Sequence, residues 1–242
     1  AAATAPYAAA AAAAAPPPKV RAAFFDLDGT VVSGNIVIQF VVARLATMPM
    51  WLKVFWVPYY AVKCALYLVI DQFSRTAFNN IFMKDFRGIP TAQKAELAAV
   101  IYERYLSRNV FPAALAAIAA LKADNFRIVL VTGSLDFIVA PLAAALGVDH
   151  VIANTLEEGA GPNFTGRLVG LPVADEEKRV RITTYAAAEN IDLAASHAYG
   201  DSNADVPMLE CVGVAHAVSP SASLKARAER AGWPVLDWKT SV

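Results

Sequence analysis

An α/β fold is what this sequence predicts: a parallel sheet covered by helices on both faces, with a helical block set in after the first strand. Three observations carry the prediction. From Phe111 to Trp238 short apolar runs alternate with helical patterns, which is the order of a parallel sheet with crossover helices. The run Val20-Arg21-Ala22-Ala23-Phe24-Phe25 stops at Asp26-Leu27-Asp28-Gly29-Thr30, the way a buried strand presents a site. Residues 31–107 are rich in apolar and aromatic residues and poor in Gly, so they read as helices.

The elements follow in order. Residues 1–19 are almost all Ala and Pro and hold too little bulky apolar surface to pack, so they read as a tail, with Pro16-Pro17-Pro18 favouring an extended form. They lack the basic start and bulky apolar middle of a signal peptide, and with no initiator Met they read as a processed or trimmed start. A strand occupies Val20–Phe25. Pro112–Ala123 is a helix with Pro in its first turn, and Phe126–Val131 a buried strand. Leu135–Leu146 is a helix that Gly147 terminates, followed by a strand over Val148–Asn154. Gly159–Gly166 is a turn-rich loop. Then come a helix at Ala174–Glu189, a strand at His197–Tyr199, a helix at Ala204–Cys211 and a strand at Gly213–Val218. A helix at Ser221–Ala231 and a strand at Pro234–Trp238 complete the series.

Composition excludes several function classes. Among 242 residues, Lys+Arg and Asp+Glu both number 21, so there is no basic footprint for nucleic acid. With 57% hydrophobic and 17% charged residues, the chain is the reverse of a disordered one. Two cysteines far apart, Cys64 and Cys211, make no disulfide framework and fit an intracellular, reducing compartment, in the cytoplasm or an organelle such as a plastid or mitochondrion. His150, His197 and His216 have no zinc-ligand spacing and read as structural.

Three motifs at strand ends carry the chemistry: Asp26-Leu27-Asp28-Gly29-Thr30, Val131-Thr132-Gly133-Ser134 and Gly200-Asp201-Ser202-Asn203-Ala204-Asp205. Strand ends on one edge of a parallel sheet share a crevice, so four carboxylates meet there. Carboxylates that close raise one another's pKa or recruit a cation. With no His or Cys nearby, the donor set suits a hard ion, Mg²⁺ first, and therefore phosphoryl chemistry. Thr132, Gly133 and the N–H groups after them suit phosphoryl oxygens. Lys178, in Glu176-Glu177-Lys178-Arg179, is placed to offset their charge, with Arg179 and Arg181 as substitutes.

In these motifs, in their order and spacing over about residues 20–240, the chain resembles the haloacid dehalogenase superfamily of phosphatases, in the branch that contains phosphoserine phosphatase. The resemblance implies a three-layer Rossmann-like core formed by residues 20–34 and 108–242, with an inserted helical cap over 35–107. It implies that Asp26 is the nucleophile, forming an aspartyl-phosphate, and that Asp28 is the general acid and base. Mg²⁺ would be held by Asp26, the Asp28 carbonyl and Asp201, with Asp205 supporting. Thr132 and Lys178 would orient the phosphoryl group, and Gly29 would permit the turn after the nucleophile.

Departures bear on substrate. Phosphoserine phosphatases have a Glu for the ammonium where this chain has Asn35, and a cap Arg for the carboxylate near the place of Asn79 and Asn80; Arg75 and Arg87 are candidate substitutes. Ser33 and Asn35 are the expected specificity residues on the cap side. Loss of both charged readers argues against free phosphoserine, because a desolvated zwitterion needs paired partners.

The segment Met48–Phe73 is aromatic and apolar, with Lys53, Lys63 and Asp71 breaking it. Its longest charge-free piece, Val54–Val62, has nine residues and contains Pro58, which argues against a clean membrane span. Aromatic residues with Lys suit either a core or a membrane surface. Three readings follow. The first is a Mg²⁺-dependent phosphatase of small phosphomonoesters. The second is a lipid-phosphate phosphatase at a membrane surface, as some bacterial members of this branch are, with similarly greasy caps. The third is a phosphatase-like subunit docked through the aromatic cap or the tail onto a protein partner in a membrane-associated assembly.

Overall fold

The computed structural model describes residues 19–240; all of the Ala/Pro tail except Lys19 lies outside the described residues. Strand β1 (Ala22–Phe25) is the centre of the sheet, and all four of its side chains are fully buried. Ala22 and Phe24 face one way and Ala23 and Phe25 the other, each side into its own apolar cluster. That is why a four-residue run without polar alternation forms the central strand: it is covered on both faces.

Around it lie β2 (Arg127–Leu135), β3 (His150–Asn154), β6 (His197–Gly200), β7 (Val214–Val218) and β8 (Val235–Leu236) in the order β3-β2-β1-β6-β7-β8, all parallel. Helices α5 (Pro112–Ala123) and α6 (Asp136–Leu146) cover one face through Ile118, Leu121 and Leu142. Helices α7 (Glu176–Ala188), α8 (Val206–Glu210) and α9 (Ala222–Ala231) cover the other through Ile182, Met208 and Leu224. The chain runs from β1 outward through β2 to β3, then crosses back to β6 and runs outward through β7 to β8, so the carboxyl ends of β1 and β6 flank the switch point where an open sheet holds its ligand.

Between β1 and β2 the chain forms α1 (Ile36–Thr47), α2 (Met50–Phe73), α3 (Arg75–Phe82) and α4 (Lys94–Arg104). Its two ends are joined. Val32 bridges Val110 in an antiparallel pair, Ser33 N donates to Asn109 O at 2.8 Å, and Phe111 N donates to Val31 O at 3.0 Å. Inside, Phe40, Tyr60, Tyr67, Phe78, Phe82 and Phe86 meet mostly edge to face at ring separations of 4.8–6.5 Å. Beneath α2 the Asp85 carboxylate accepts from Tyr60 Oη at 2.6 Å and Tyr67 Oη at 2.8 Å, and pairs with Lys63.

Two local expectations change. β2 does not stop at Val131 but runs through Thr132-Gly133-Ser134 to Leu135, with a register shift against β3 after Val131. The Gly159–Gly166 loop is the tip of an antiparallel hairpin, β4 (Leu156–Glu158) with β5 (Phe164–Leu168). Its strands are short, and Phe164 N donates to Ile89 O of the insert, a pairing no local pattern announces. Pro58 does not interrupt α2, which continues for 24 residues and is, by length and composition, apolar enough to cross a membrane. A proline there removes one hydrogen bond and bends rather than ends a helix held by packing.

Candidate active site

The three motifs converge at the carboxyl ends of β1, β2 and β6. Asp26, Asp28, Gly133, Lys178, Asp201 and Asp205 line one pocket, whose other wall is formed by Asn35, Arg75, Phe78 and Asn79 of the insert. Asp26 follows β1 directly, and its N–H donates to Tyr199 O at 2.9 Å, which fixes its place at the strand end. Gly29 turns the chain away at φ +96°, and a Cβ there would lie 2.2 Å from Asp201 Oδ2. Only glycine allows both the turn and that approach.

Lys178 sits at the start of α7, buried, with Nζ 2.7 Å from Asp26 Oδ1 and 2.6 Å from Asp205 Oδ1. Burial alone would lower its pKa, but the two carboxylates hold it above the ordinary lysine value, so it stays an ammonium. Asp205 is kept below its usual range: burial opposes this, but Lys178 and the Ser202 N–H outweigh it. Asp26 is raised to about 7 by burial, against the pull of Lys178. Asp201 is raised to about 8 by burial and by the charges of Asp205 and Asp26. Asp26, Asp201 and Asp205 offer oxygens that all lie within 4.8 Å of one another. One ammonium does not let all three carboxyls ionise, which a divalent cation would, and the all-oxygen donor set fits a hard one.

Asp28 is held separately. Gln39 Nε2 donates to its Oδ1 at 2.7 Å and Ser134 Oγ to its Oδ2 at 2.8 Å. Burial raises its pKa to about 6, moderated by the Ser134 hydrogen bond and by the nearby Arg75 charge. A carboxyl so tuned exchanges a proton near neutral pH.

Other sequence-nominated residues fall in different places. Thr132 is fully buried and does not line the pocket; its Oγ1 accepts from Ser134 N at 2.9 Å, because β2 carries the motif inside the sheet. Gly133 lines the pocket instead. Asn35 is the N-cap of α1, its Oδ1 accepting from Val37 N at 3.0 Å, and still borders the pocket. Ser33 lies at the mouth and donates its hydroxyl to Asn109. Arg75 faces the site, whereas Arg87 lies away from it, donating to Thr165 O. Arg179 and Arg181 pair with Glu210 and Glu177 rather than entering the pocket. Gln39 and Asn154 carry no family motif. Gln39 is a lone polar residue in the apolar run Ile36–Val42, a signal in the sequence. Asn154 ends β3, donates to Gly133 O at 2.6 Å and accepts from Val173 N at 2.8 Å, so it joins two pocket walls.

The family model described as haloacid dehalogenase-like hydrolase matches residues 23–210. A probable phosphatase of Mycobacterium tuberculosis is 32% identical over 91% of this chain and 76% of its own length. A histidinol-phosphatase of Neisseria meningitidis is 26% identical over 90% of this chain and 98% of its own. The match to the "inhibition of morphological differentiation protein" of Streptomyces azureus, 34% identical, covers 64% of this chain and spans only 56% of that relative. A crystal structure of a Bordetella pertussis protein of unknown function superposes with a TM-score of 0.77, at 26% identity over 91% of this chain and 100% of that one.

Proposed function

The chain belongs to the haloacid dehalogenase-like hydrolase family, and from that premise we propose that it is a Mg²⁺-dependent phosphomonoesterase working through a phosphorylated Asp26. The observation that carries this reading is the Lys178 ammonium, bridging Asp26 and Asp205 within the three-carboxylate cluster. The fold supplies the rest, with Asp28 clamped two residues from the nucleophile.

A carboxylate oxygen of Asp26 forms a bond to phosphorus as the ester oxygen leaves, and Asp28 gives that oxygen its proton. Asp28, now ionised, takes a proton from water. The water oxygen bonds phosphorus, the Asp26–phosphorus bond breaks, and phosphate departs with the Asp26 carboxylate restored. Lys178 orients the phosphoryl oxygens and Asp26. Asp26, Asp201 and Asp205 would hold the cation, which supplies charge neutralisation for the phosphoryl oxygens in flight.

The insert wall argues for the substrate class. Arg75 offers one cationic reader, Asn79 and Asn35 are neutral, and the wall's acid, Asp71, pairs with Arg75 at 3.1 Å. A small phosphomonoester carrying an anionic or neutral polar group fits this wall, and free phosphoserine lacks a partner for its ammonium. Phosphate release from a generic aryl phosphate is expected with Mg²⁺, is abolished by EDTA, and disappears in Asp26→Asn. Full activity in that variant would sink the mechanism.

A further inference from the structure

The outer face of α2 is unpartnered. At 3.6 residues per turn, Trp51, Phe55, Val62, Leu66, Val69 and Phe73 fall within an arc of about 60° along ~33 Å of helix. Trp51, Phe55 and Val62 are 67%, 73% and 74% exposed, and Phe73 is 87% exposed. An apolar strip of this length on a surface marks an interaction site. The inner face is not free: Tyr60 and Tyr67 are buried on Asp85, and Lys63 pairs with it.

Charge selects the occupant. Residues 36–93 hold six basic and two acidic side chains in a chain whose formal net charge is zero. Both acids are engaged, Asp85 by Lys63 and Asp71 by Arg75. Arg44 and Arg87 share a groove with Trp56 and Tyr59, at the flank of the apolar strip. A second copy in a two-fold pairing would bring like charge against like charge. A span across the bilayer would strip Lys63 and the tyrosine hydroxyls from Asp85. We infer that α2 lies in the plane of an anionic lipid surface, its outer arc sunk to about the headgroup boundary and its basic flanks on the headgroups.

Asp71 in the last turn of α2 and Arg75 at the start of α3 line the same cavity as Asp28, Asn35 and Asp201, with exposed Phe73 between them in sequence. Docking through this face therefore sets the mouth of the pocket beside the surface. The inference concerns binding alone and stands apart from the proposed chemistry.

The test is flotation of the full chain with phosphatidylcholine vesicles, with and without added phosphatidylglycerol. The chain should float with the anionic vesicles, less so as salt is raised. The triple variant Trp51→Ser, Phe55→Ser, Leu66→Ser should partition at least about tenfold more weakly, while its turnover of a soluble aryl phosphate and its circular dichroism stay those of the parent. Failure of the folded parent to float would overturn the inference, as would equal flotation of the triple variant or equal binding to neutral vesicles. A parent dimer that the triple variant turns into monomer would overturn it in favour of a second copy.

Discussion

Asp28 has a more unusual setting than Asp26, two residues before it. It is the acid of the pair without a lysine, and two neutral donors, Gln39 and Ser134, hold its carboxylate. Gln39 is fully buried and its Oε1 has no partner, a cost tolerated where the amide fixes one orientation of the acid. Gln39→Leu should lower kcat roughly tenfold with little change in KM, since geometry rather than binding is lost. Removing a donor to the ionised form raises the Asp28 pKa, so the limb of the pH–rate profile that reports it should move to higher pH. An unchanged profile with a normal kcat would show Gln39 to be packing only. The carboxylates and Lys178 were legible in the sequence because each sits in a short motif beside a strand or helix end. Gln39 was not, because its partner lies 11 residues away through a turn whose path only Gly29 and the following bridge determine.

Helix α2 rests on one carboxylate. Two tyrosine hydroxyls and a lysine converge on Asp85, whose side chain is only 7% exposed. Burial and the Asp85 acceptor push both tyrosine pKa values far above the ordinary range, so the hydroxyls stay donors. Asp85→Ala leaves them without an acceptor and should cost about 3 kcal/mol in urea unfolding, against about 1 kcal/mol for Tyr67→Phe. Equal small losses in both variants would mean that aromatic packing alone holds the helix. The sequence predicted helices here and left open whether the aromatic stripe is core or surface. Both answers hold, on opposite faces: Tyr60 and Tyr67 point in, Trp51 and Phe55 point out. Pro58 lies within α2 without ending it, since the inner-face contacts outweigh one lost hydrogen bond. The β4–β5 hairpin escaped for the opposite reason: its strands depend on partners in the insert.

The stability of the whole molecule carries a pH signature separate from the active site. His197 and His216, neighbours on β6 and β7, lie 3.4 Å apart through ring nitrogens. Burial and the His197 ring lower the His216 pKa to about 4, and burial lowers His197 as well. The unfolded chain therefore takes up protons before the folded one does. Their contribution is fully present above about pH 6.5 and is lost as pH falls toward about 4. His216→Leu should flatten this part of the profile, seen as a parent-minus-variant difference in urea midpoint that shrinks or reverses between pH 7.5 and 5. A difference independent of pH would remove the histidine pair from the account.

The six strands and the helices on both faces of the sheet followed from alternating patterns in the sequence, because the central strands are buried on both sides. What such patterns do not encode is the join between residues 31–33 and 109–111, where the helical excursion leaves and returns through hydrogen-bonded neighbours. A detour that starts and finishes at one doorway leaves the sheet's connectivity indifferent to what it contains. Lineages could lengthen, shorten or exchange that passage wholesale while Asp26, Lys178, Asp201 and Asp205, all encoded outside it, keep their places. The carboxylate cluster and the wall that faces it across the pocket thus belong to two separable stretches of the chain.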